Sequence, residues 1–437
     1  MPVTRRLVLL LAPCALIFAF LTTPPLLLAE GKERVLYAFT GGADGASPSA
    51  TLIFDAAGNL YGETPKGGAY GCGTVFEVVR ERDETWSETV LYSFACGRDG
   101  YLPLSGLVFD PAGSLYGTTV LGGATRYICY EVYGVASCGT VFRLTRHNGG
   151  WVKKTLHTFC ATSQTCVDGA FPFGPLVLDK AGNVYGTTAF GGINDKRSVE
   201  TGVVFKLAAK NGKWTEELLH RFNPNRSDAG WSIAPLIFDQ AGRLYGTAEF
   251  GGAAEHGSVF ELVPGRNSKW TEELLLSFDL ENGGCPNDGL IFDAAGNLYG
   301  TSGGTFGGGC TEGNVFQLTP SANGTWRQVV LHTFGANEDG LYPSAGLIFD
   351  AAGNLYGTTP YGGGKGNGCD GGCGTVFKLM PNGNGGWTEE VLHRFPDNAT
   401  DGTVPFGGLV SDAAGKLYGT TYIGGKYNAG TVFEITP

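Results

Sequence analysis

The side chains best suited to acid–base chemistry in this sequence are two glutamates and one histidine. Glu63 lies in "YGET", where related segments read "YGTT", and Glu249 directly follows "YGTA". Two carboxylates beside one cleft can hydrolyse or eliminate a glycosidic bond, so this pair is the candidate for a polysaccharide hydrolase or lyase. His256, shortly after Glu249 and Glu255, could act as a general base. No "GxSxG" or His-Glu metal motif accompanies them, so catalysis stays undecided.

The remaining histidines and many aspartates recur at fixed positions. One position holds a histidine in some units and Tyr or Leu in others, which predicts packing on an outer strand: His157, His220, His332 and His393 against Tyr37, Tyr92 and Leu276. Seven aspartates begin the pattern Asp-x-Ala-Gly: Asp55, Asp110, Asp179, Asp239, Asp293, Asp350 and Asp412. Calcium needs several oxygen donors close together, whereas "DAAGN" offers one carboxylate, so these aspartates are predicted to cap turns. No metal or other cofactor is predicted.

These positions belong to an internal repeat. The core Asp-x-Ala-Gly-x-(Leu/Val)-Tyr-Gly occurs seven times, at intervals of 54 to 69 residues. Each unit contains four short runs of β-branched, aromatic and alternating residues, as in "LIFD", "NLYGTT", "GTVFKL" and "EVLHRF", and these predict strands. "DAAGN" between the first two runs predicts a tight hairpin, because Asp caps the turn and Gly accepts a positive φ.

Seven units of four antiparallel strands predict an all-β fold, a seven-bladed β-propeller. The two ends of the chain support a closed ring. "RVLYAF", from Arg34 to Phe39, matches a fourth strand, whereas the C-terminus stops after the third strand "GTVFEI". We therefore expect the N-terminal strand to complete the C-terminal blade, which would remove the open edges.

The motif "LYGTT…GG…GTVFKL", present in all seven units from about Val35 to Pro437, resembles the gloeo/verruco (GloVer) tandem-repeat proteins of bacteria. The resemblance implies an exported protein of repeat architecture. It implies no biochemical activity and no catalytic residues.

The long, variable segments after the second strands are the expected ligand-binding loops, because they vary on a repetitive frame. The alternative is that they only cap the ring. The aromatic and charged residues expected to contact a ligand are Lys66, Tyr127, Tyr130, Glu131, Tyr133, Tyr361 and Tyr427. Six of the seven tryptophans fall near the start of a fourth strand, which indicates packing between blades rather than sugar stacking.

The cysteines indicate disulfides. Eleven are present, and ten remain without Cys14. Several directly precede a third strand or follow a fourth strand, which places them at one end of a blade. The predicted pairs are Cys72–Cys96, Cys138–Cys160, Cys129–Cys166, Cys285–Cys310 and Cys369–Cys373. Zinc is the alternative, but "CDGGC" has no second close Cys or His pair.

The N-terminus predicts export. Arg5 and Arg6 precede an apolar run, and Ala29 offers a cleavage point, so residues 1–29 are predicted to be a signal peptide and residues 30–437 a single propeller domain. A retained membrane anchor is the alternative for this run, and no later run could span a bilayer. A net charge of −11 argues against nucleic acid.

The sequence thus favours a secreted or periplasmic, monomeric binding module at the bacterial surface, with a glycan or a protein as ligand. The alternatives are a polysaccharide hydrolase or lyase with carboxylates at the central funnel, and a purely structural ring. Because propellers host many activities, the fold alone does not choose among them.

Overall fold

A computed structural model describes residues 32–123, 138–161, 166–192, 202–223, 228–303, 310, 312–335, 339–364, 369, 372–396 and 400–437. These residues form seven four-stranded antiparallel sheets in sequential order, which confirms the seven-bladed propeller. Two further pairs of two-residue strands lie beside blades 4 and 7. Within the described ranges, no helix has the length and apolar content to cross a membrane.

Every blade has a two-residue first strand, a five-residue second strand and longer third and fourth strands. The strands of blade 1 are β2 (Ile53–Phe54), β3 (Leu60–Thr64), β4 (Thr74–Arg80) and β5 (Trp86–Ser93); those of blade 2 are β6 (Val108–Phe109), β7 (Leu115–Thr119), β8 (Thr140–His147) and β9 (Gly150–Thr158); and those of blade 3 are β10 (Val177–Leu178), β11 (Val184–Thr188), β12 (Val203–Lys210) and β13 (Lys213–Arg221). Blade 4 contains β15 (Ile237–Phe238), β16 (Leu244–Ala248), β18 (Ser258–Pro264) and β19 (Trp270–Ser277), and blade 5 contains β20 (Ile291–Phe292), β21 (Leu298–Ser302), β22 (Asn314–Pro320) and β23 (Trp326–Thr333). Blade 6 contains β24 (Ile348–Phe349), β25 (Leu355–Thr359), β26 (Thr375–Pro381) and β27 (Trp387–Arg394), and blade 7 contains β29 (Val410–Ser411), β30 (Leu417–Thr421), β32 (Thr431–Thr436) and β1 (Lys32–Ala38). The extra pairs are β14 (Ala229–Gly230) with β17 (Phe250–Gly251), and β28 (Gly402–Thr403) with β31 (Ile423–Gly424). Single 3-10 turns occupy Gly97–Asp99 and Arg266–Ser268.

The N-terminal strand closes the ring, as the phase of the repeat predicted. β1 pairs antiparallel with β32, from Lys32 opposite Thr436 to Ala38 opposite Thr431. Blade 7 therefore has the order β1-β32-β30-β29, the same four positions as every other blade. The pairing covers the edge of β32 and joins the two ends of the described chain.

The repeated aspartate is the organising residue of the first hairpin in each blade. In blade 1, Asp55 Oδ1 accepts the amide hydrogens of Ala57 at 2.8 Å and of Asn59 at 2.9 Å, and its Oδ2 accepts from the Tyr61 hydroxyl at 3.2 Å. The other six repeat aspartates accept the same two backbone amides. Turn capping is thus the role of this residue.

The core of the ring lies between neighbouring blades. A Cβ on the Gly of each "YG" would come within 2.5–2.7 Å of the Phe ring of the third strand, so only glycine fits there. The same Phe packs edge-to-face against a Phe that follows the fourth strand of the preceding blade, as in Phe94 and Phe142 with ring centroids 5.2 Å apart. This pair occurs at all seven junctions: Phe39–Phe76, Phe94–Phe142, Phe159–Phe205, Phe222–Phe260, Phe278–Phe316, Phe334–Phe377 and Phe395–Phe433.

The tryptophans pack between blades, as their spacing predicted. Trp387 of blade 6 lies 6.3 Å, between ring centroids, from Tyr299 of blade 5. Equivalent contacts join Trp86 to Tyr418, Trp214 to Tyr116 and Trp326 to Tyr245. Each of these tryptophans contacts the preceding blade, which accounts for their regular spacing.

Disulfides fasten the same end of several blades. Cys72–Cys96, Cys285–Cys310 and Cys369–Cys373 are bonded in the structure, in agreement with three of the predicted pairs. The predictions of Cys138–Cys160 and Cys129–Cys166 are wrong, because Cys160 is bonded to Cys166.

The physical reason is a shift of one residue. Cys96 comes two residues after Phe94, whereas Cys160 directly follows Phe159 and thus faces differently along the chain. Cys160 meets Cys166 with Cα atoms 4.5 Å apart. Cys138, which is itself disulfide-bonded, lies at the same end of the blade, with its Sγ 3.9 Å from Cys166 Sγ.

Candidate functional site

On the loop face that carries the segments after the second strands, each blade has one residue with an unusual backbone conformation. This residue precedes the first strand and has a positive φ between 51° and 60° in all seven blades: Ser47, Leu102, Phe171, Trp231, Cys285, Tyr342 and Val404. In blade 7, Val404 donates its amide hydrogen to the carbonyl of Cys373 in blade 6, and its own carbonyl accepts from Tyr422. The strained backbone is thus held by two hydrogen bonds and positions the inner loops against one another.

Half-buried tyrosines line one side of this face. We call Lys66, Tyr342, Tyr361, Phe406 and Tyr422 the tyrosine arc. Consecutive ring centroids lie 6.3, 6.2 and 5.6 Å apart from Tyr342 through Tyr361 and Phe406 to Tyr422. Lys66 donates from Nζ to the Tyr422 hydroxyl at 3.0 Å, and its Nζ lies 5.2 Å from the centre of that ring. The arc therefore crosses blades 6, 7 and 1.

A second, apolar arc lies on blades 3 and 4. It consists of Phe171, Phe190, Trp231 and Phe250, with successive ring centroids 5.2, 4.4 and 5.7 Å apart. Phe190 and Trp231 pack on a buried cluster that includes Phe205, so this arc continues the core to the surface. It lacks the hydroxyl and ammonium groups that the tyrosine arc presents.

The structure brings two of the predicted ligand-contacting residues together. Lys66 and Tyr361 belong to the tyrosine arc, where Phe406 and Tyr422 connect them. The sequence did not single out Phe406 or Tyr422. A signal was available for Phe406, which occupies the inner-loop position at which blade 3 carries Phe173. Tyr422 stands where blades 3 and 4 carry Ala189 and Glu249, so the repeat gave no aromatic signal for it.

The other predicted contact residues do not join this arc. Tyr427 is 50% exposed and stacks with Lys426, whose Nζ lies 5.1 Å from the ring centre. Tyr127, Tyr130, Glu131 and Tyr133 lie outside the described residues. Lys66 and Tyr361 are therefore the two predicted residues that share one described surface.

The two glutamates proposed for catalysis are buried in separate blades. Glu63 is 1% exposed, accepts the amide hydrogen of Gly106 at 2.9 Å, and has its pKa raised to about 8 by burial. Glu249 is also 1% exposed, and burial raises its pKa to about 7. They belong to blades 1 and 4, on distant parts of a seven-membered ring. No hydrogen bond or ion pair within the described residues joins them, nor either of them to His256.

Charged side chains meet at the outer junctions between blades, which the sequence did not predict. His157 on β9 has its Nε2 3.4 Å from Asp168 Oδ2 and 3.6 Å from Glu216 Oε1 on β13 of the next blade. His220 on β13 repeats this geometry, with Nε2 3.4 Å from Asp228 Oδ1 and 3.6 Å from Glu272 Oε2 on β19. Each set gathers one nitrogen and two carboxylate oxygens within 4.8 Å of one another.

Equivalent positions at two other junctions differ in charge. Tyr92 and Asp99 meet Lys153, whose Nζ lies 2.9 Å from Asp99 Oδ1 and whose side chain is 3% exposed. Leu276, Asn282 and Gln328 occupy the junction of blades 4 and 5, where Gln328 donates to the carbonyl of Asn282 at 2.8 Å. The remaining sets are Tyr37–Asp44–Glu88, His332–Asp339–Glu389 and His393–Asp401–Glu33.

The expected packing role of these histidines is thus incomplete. Each ring does pack on the Phe two residues further on, as His157 does on Phe159 at 4.7 Å between centroids. Its nitrogen also faces two acids. The missed signal was the residue two positions after each tryptophan, which is Glu216 or Glu272 at the two gathered sets and uncharged Gln328 at the uncharged junction.

Two solved structures and one family model are similar to this chain. A protein of unknown function from Dyadobacter fermentans has a TM-score of 0.47 at 13% identity, covering 83% of this chain and 96% of that one. A protein from Bacteroides uniformis, described as a candidate 6-phosphogluconolactonase, has a TM-score of 0.50 at 16% identity, covering 83% of this chain and 88% of that one. The search of curated proteins finds no match. The family model described as the Gloeobacter/Verrucomicrobia repeat matches residues 125–369 and 303–437.

Proposed function

We propose that this chain, which belongs to the Gloeobacter/Verrucomicrobia repeat family, is a non-catalytic binding module that holds a glycan on its tyrosine arc. The observation that carries the proposal is the continuous row of Tyr342, Tyr361, Phe406 and Tyr422 across blades, with the ammonium of Lys66 beside it. Aromatic rings offer flat apolar faces to the C–H groups of a sugar. The tyrosine hydroxyls and the ammonium offer hydrogen bonds to its hydroxyls.

The geometry favours binding over reaction at this surface. The tyrosine arc contains no carboxylate, and the two candidate acids Glu63 and Glu249 are each 1% exposed. A retaining or inverting hydrolase needs two carboxyl groups about 5–10 Å apart on either side of the bond. Two buried acids on blades 1 and 4 do not meet that requirement. A protein ligand or a purely structural ring remain as outcomes of the test.

The test is a polysaccharide array followed by calorimetry on the retained sugars. Tyr361→Ala and Tyr422→Ala should each lower the affinity by about ten-fold, since losing one stacking ring costs about 1–1.5 kcal/mol. Phe190→Ala, in the apolar arc, is the matched control and should leave the affinity unchanged.

Each result has a defined meaning. Retention of a sugar by wild type and its loss in both tyrosine variants would support the proposal. Equal affinities in all three variants would place the ligand elsewhere. New reducing or unsaturated sugar ends would identify an enzyme. Failure to retain any glycan would contradict glycan binding and leave a protein partner or a structural role.

The proposed setting is the bacterial surface or periplasm. Disulfides such as Cys72–Cys96 and Cys285–Cys310 persist in oxidising compartments and fit this setting. The predicted signal peptide, residues 1–29, lies outside the described residues and stays a prediction. Mass spectrometry of the exported protein should find Glu30 at its N-terminus, and a protein that retains Met1 would contradict cleavage.

A further inference from the structure

We propose that His157–Asp168–Glu216 and His220–Asp228–Glu272 are two divalent-metal sites of the zinc type that cross-link neighbouring blades. Each site takes its histidine from the fourth strand of one blade. Its aspartate comes from the connection to the next blade, and its glutamate from the fourth strand of that next blade. A metal bound there would connect the outer strands, which share no backbone hydrogen bonds with each other.

The distances match metal ligation better than hydrogen bonding. The histidine nitrogen lies 3.4 Å from one acid and 3.6 Å from the other at both sites. These separations exceed those of a good N–H···O hydrogen bond, about 2.7–3.2 Å. Two ligands bound tetrahedrally about 2.0–2.2 Å from Zn²⁺ lie about 3.3–3.6 Å apart.

Four of the six ligand atoms are buried without a hydrogen-bond partner: Nε2 of both histidines, Oε1 of Glu216 and Oδ1 of Asp228. Asp168 Oδ2 accepts the backbone amide of Cys160 at 3.0 Å. A buried polar atom without a partner is costly, so an interaction that satisfies these atoms together would stabilise the junction. The side chains keep 11–19% of their surface exposed, which leaves a route for a metal ion and room for a water ligand.

The junction between blades 1 and 2 shows a cation in the equivalent place. Lys153 replaces the glutamate there, and its ammonium lies 2.9 Å from Asp99 Oδ1. At the junction of blades 4 and 5, Leu276 replaces the histidine, and Asn282 and Gln328 replace the two acids. None of the three positions is therefore charged there. Within one chain, the repeat therefore presents a junction with a built-in cation, an uncharged junction, and two junctions whose acids gather around a histidine.

The donor set selects the class of metal. One imidazole and two carboxylates suit Zn²⁺ or another first-row divalent ion. Calcium prefers six to eight oxygen ligands and Mg²⁺ an octahedral oxygen set, and neither can be supplied by three side chains of this kind. The histidine rings are held in place by Phe159 and Phe222, at 4.7 and 5.1 Å between centroids, which fixes their orientation toward the acids.

The experiment titrates the chelator-treated full protein with Zn²⁺ by calorimetry, together with thermal unfolding. The informative variant is Glu216→Lys with Glu272→Lys, because it introduces at both junctions the lysine found naturally at position 153. It should fold and bind two fewer equivalents of Zn²⁺ than wild type. Gln328→Glu is the matched control: it adds a carboxylate without a histidine or an aspartate and should bind the same number as wild type.

Co²⁺ serves as a second measurement that does not depend on the variants. Strong visible absorption typical of four-coordinate Co²⁺, displaced by Zn²⁺, would support the sites. The proposal is overturned if wild type and the double lysine variant bind equal numbers of Zn²⁺, or if Co²⁺ gives only the weak bands of its aqueous ion. Stabilisation by Mg²⁺ or Ca²⁺ equal to that by Zn²⁺ would overturn the assignment of the metal class.

Discussion

Neighbouring blades are joined by two rings of side chains, an inner ring of hydroxyls and an outer ring of charged groups. In the inner ring, a threonine of six of the seven second strands donates to a carbonyl of the next blade at 2.8–3.4 Å: Thr118, Thr187, Thr247, Thr301, Thr358 and Thr420. In the outer ring, six junctions combine a His or Tyr of a fourth strand with an aspartate and with a Glu or Lys of the next blade, whereas the seventh has Leu276, Asn282 and Gln328.

The difference follows from access to water. The threonines are buried, and a neutral hydroxyl needs only one carbonyl to be satisfied there. The outer side chains keep contact with solvent, so charges can vary from junction to junction if they are compensated locally. The inner ring thus fixes how the blades associate. The outer ring provides sites whose charge, and therefore whose ligand, can differ between blades.

Glu63 is the exception in the inner ring and gives the largest expected effect. It stands at the threonine position and accepts the amide of Gly106, and burial raises its pKa from 4.5 to about 8. Above pH 4.5 the unfolded chain loses this proton while the folded protein keeps it until about pH 8. The stability that this proton provides is therefore complete below pH 4.5 and is lost as the pH rises to about 8.

Glu63→Gln removes that titration while keeping the size of the side chain. Each pKa unit is worth about 1.4 kcal/mol. Between pH 4.5 and 9, the free energy of unfolding of the variant should therefore rise relative to that of wild type by roughly 3–5 kcal/mol. Denaturant unfolding at a series of pH values measures this difference. Glu84→Gln, whose wild-type side chain is 75% exposed, is the control and should run parallel to wild type. Parallel curves for Glu63→Gln would show that the carboxyl is already charged at neutral pH.

The strands and blades of the propeller could be predicted from the sequence because every repeat carries the same residue pattern. Asp55 and Gly62 recur seven residues apart in every unit, and Trp86 recurs near the start of the fourth strand in six units. Their roles as turn cap, close-packing site and blade contact depend on neighbours within one or two blades. The closing strand could be predicted because the N-terminal unit supplied the strand that the last unit lacked.

The candidate sites were harder to predict because they combine residues from different blades. His157 and Glu216 come from fourth strands of successive units, so only the ring brings them together. Val404 has a φ of 58° although it precedes a proline, where an extended conformation is expected, and this backbone turn sets the inner loops. The partner of Cys160 was predicted wrongly because Cys160 lies one residue nearer to its strand Phe than Cys96 does, and this shift alters the direction of its side chain.

In the outer ring, Lys153 carries the charge that balances Asp99. Its ammonium lies 2.9 Å from Asp99 Oδ1 in a nearly closed setting, where the Lys153 side chain is 3% exposed and the Asp99 side chain 24%. Lys153→Met keeps the length of the side chain and removes the charge. We expect a loss of about 2–3 kcal/mol in the free energy of unfolding, less than for a fully buried pair because Asp99 retains solvent and the Tyr92 hydroxyl.

The uncharged junction of Asn282 and Gln328 provides the test of this reasoning. Adding Asp99→Asn to Lys153→Met should recover most of the lost stability. The junction of blades 1 and 2 would then be uncharged, as the junction of blades 4 and 5 already is in the wild type. Denaturant unfolding of the two single variants and the double variant measures the coupling. Lys154→Met, on the exposed side of the same strand, is the control and should cost under about 0.5 kcal/mol. Equal losses for Lys153→Met and Lys154→Met would mean that charge at the outer ring does not hold the blades together.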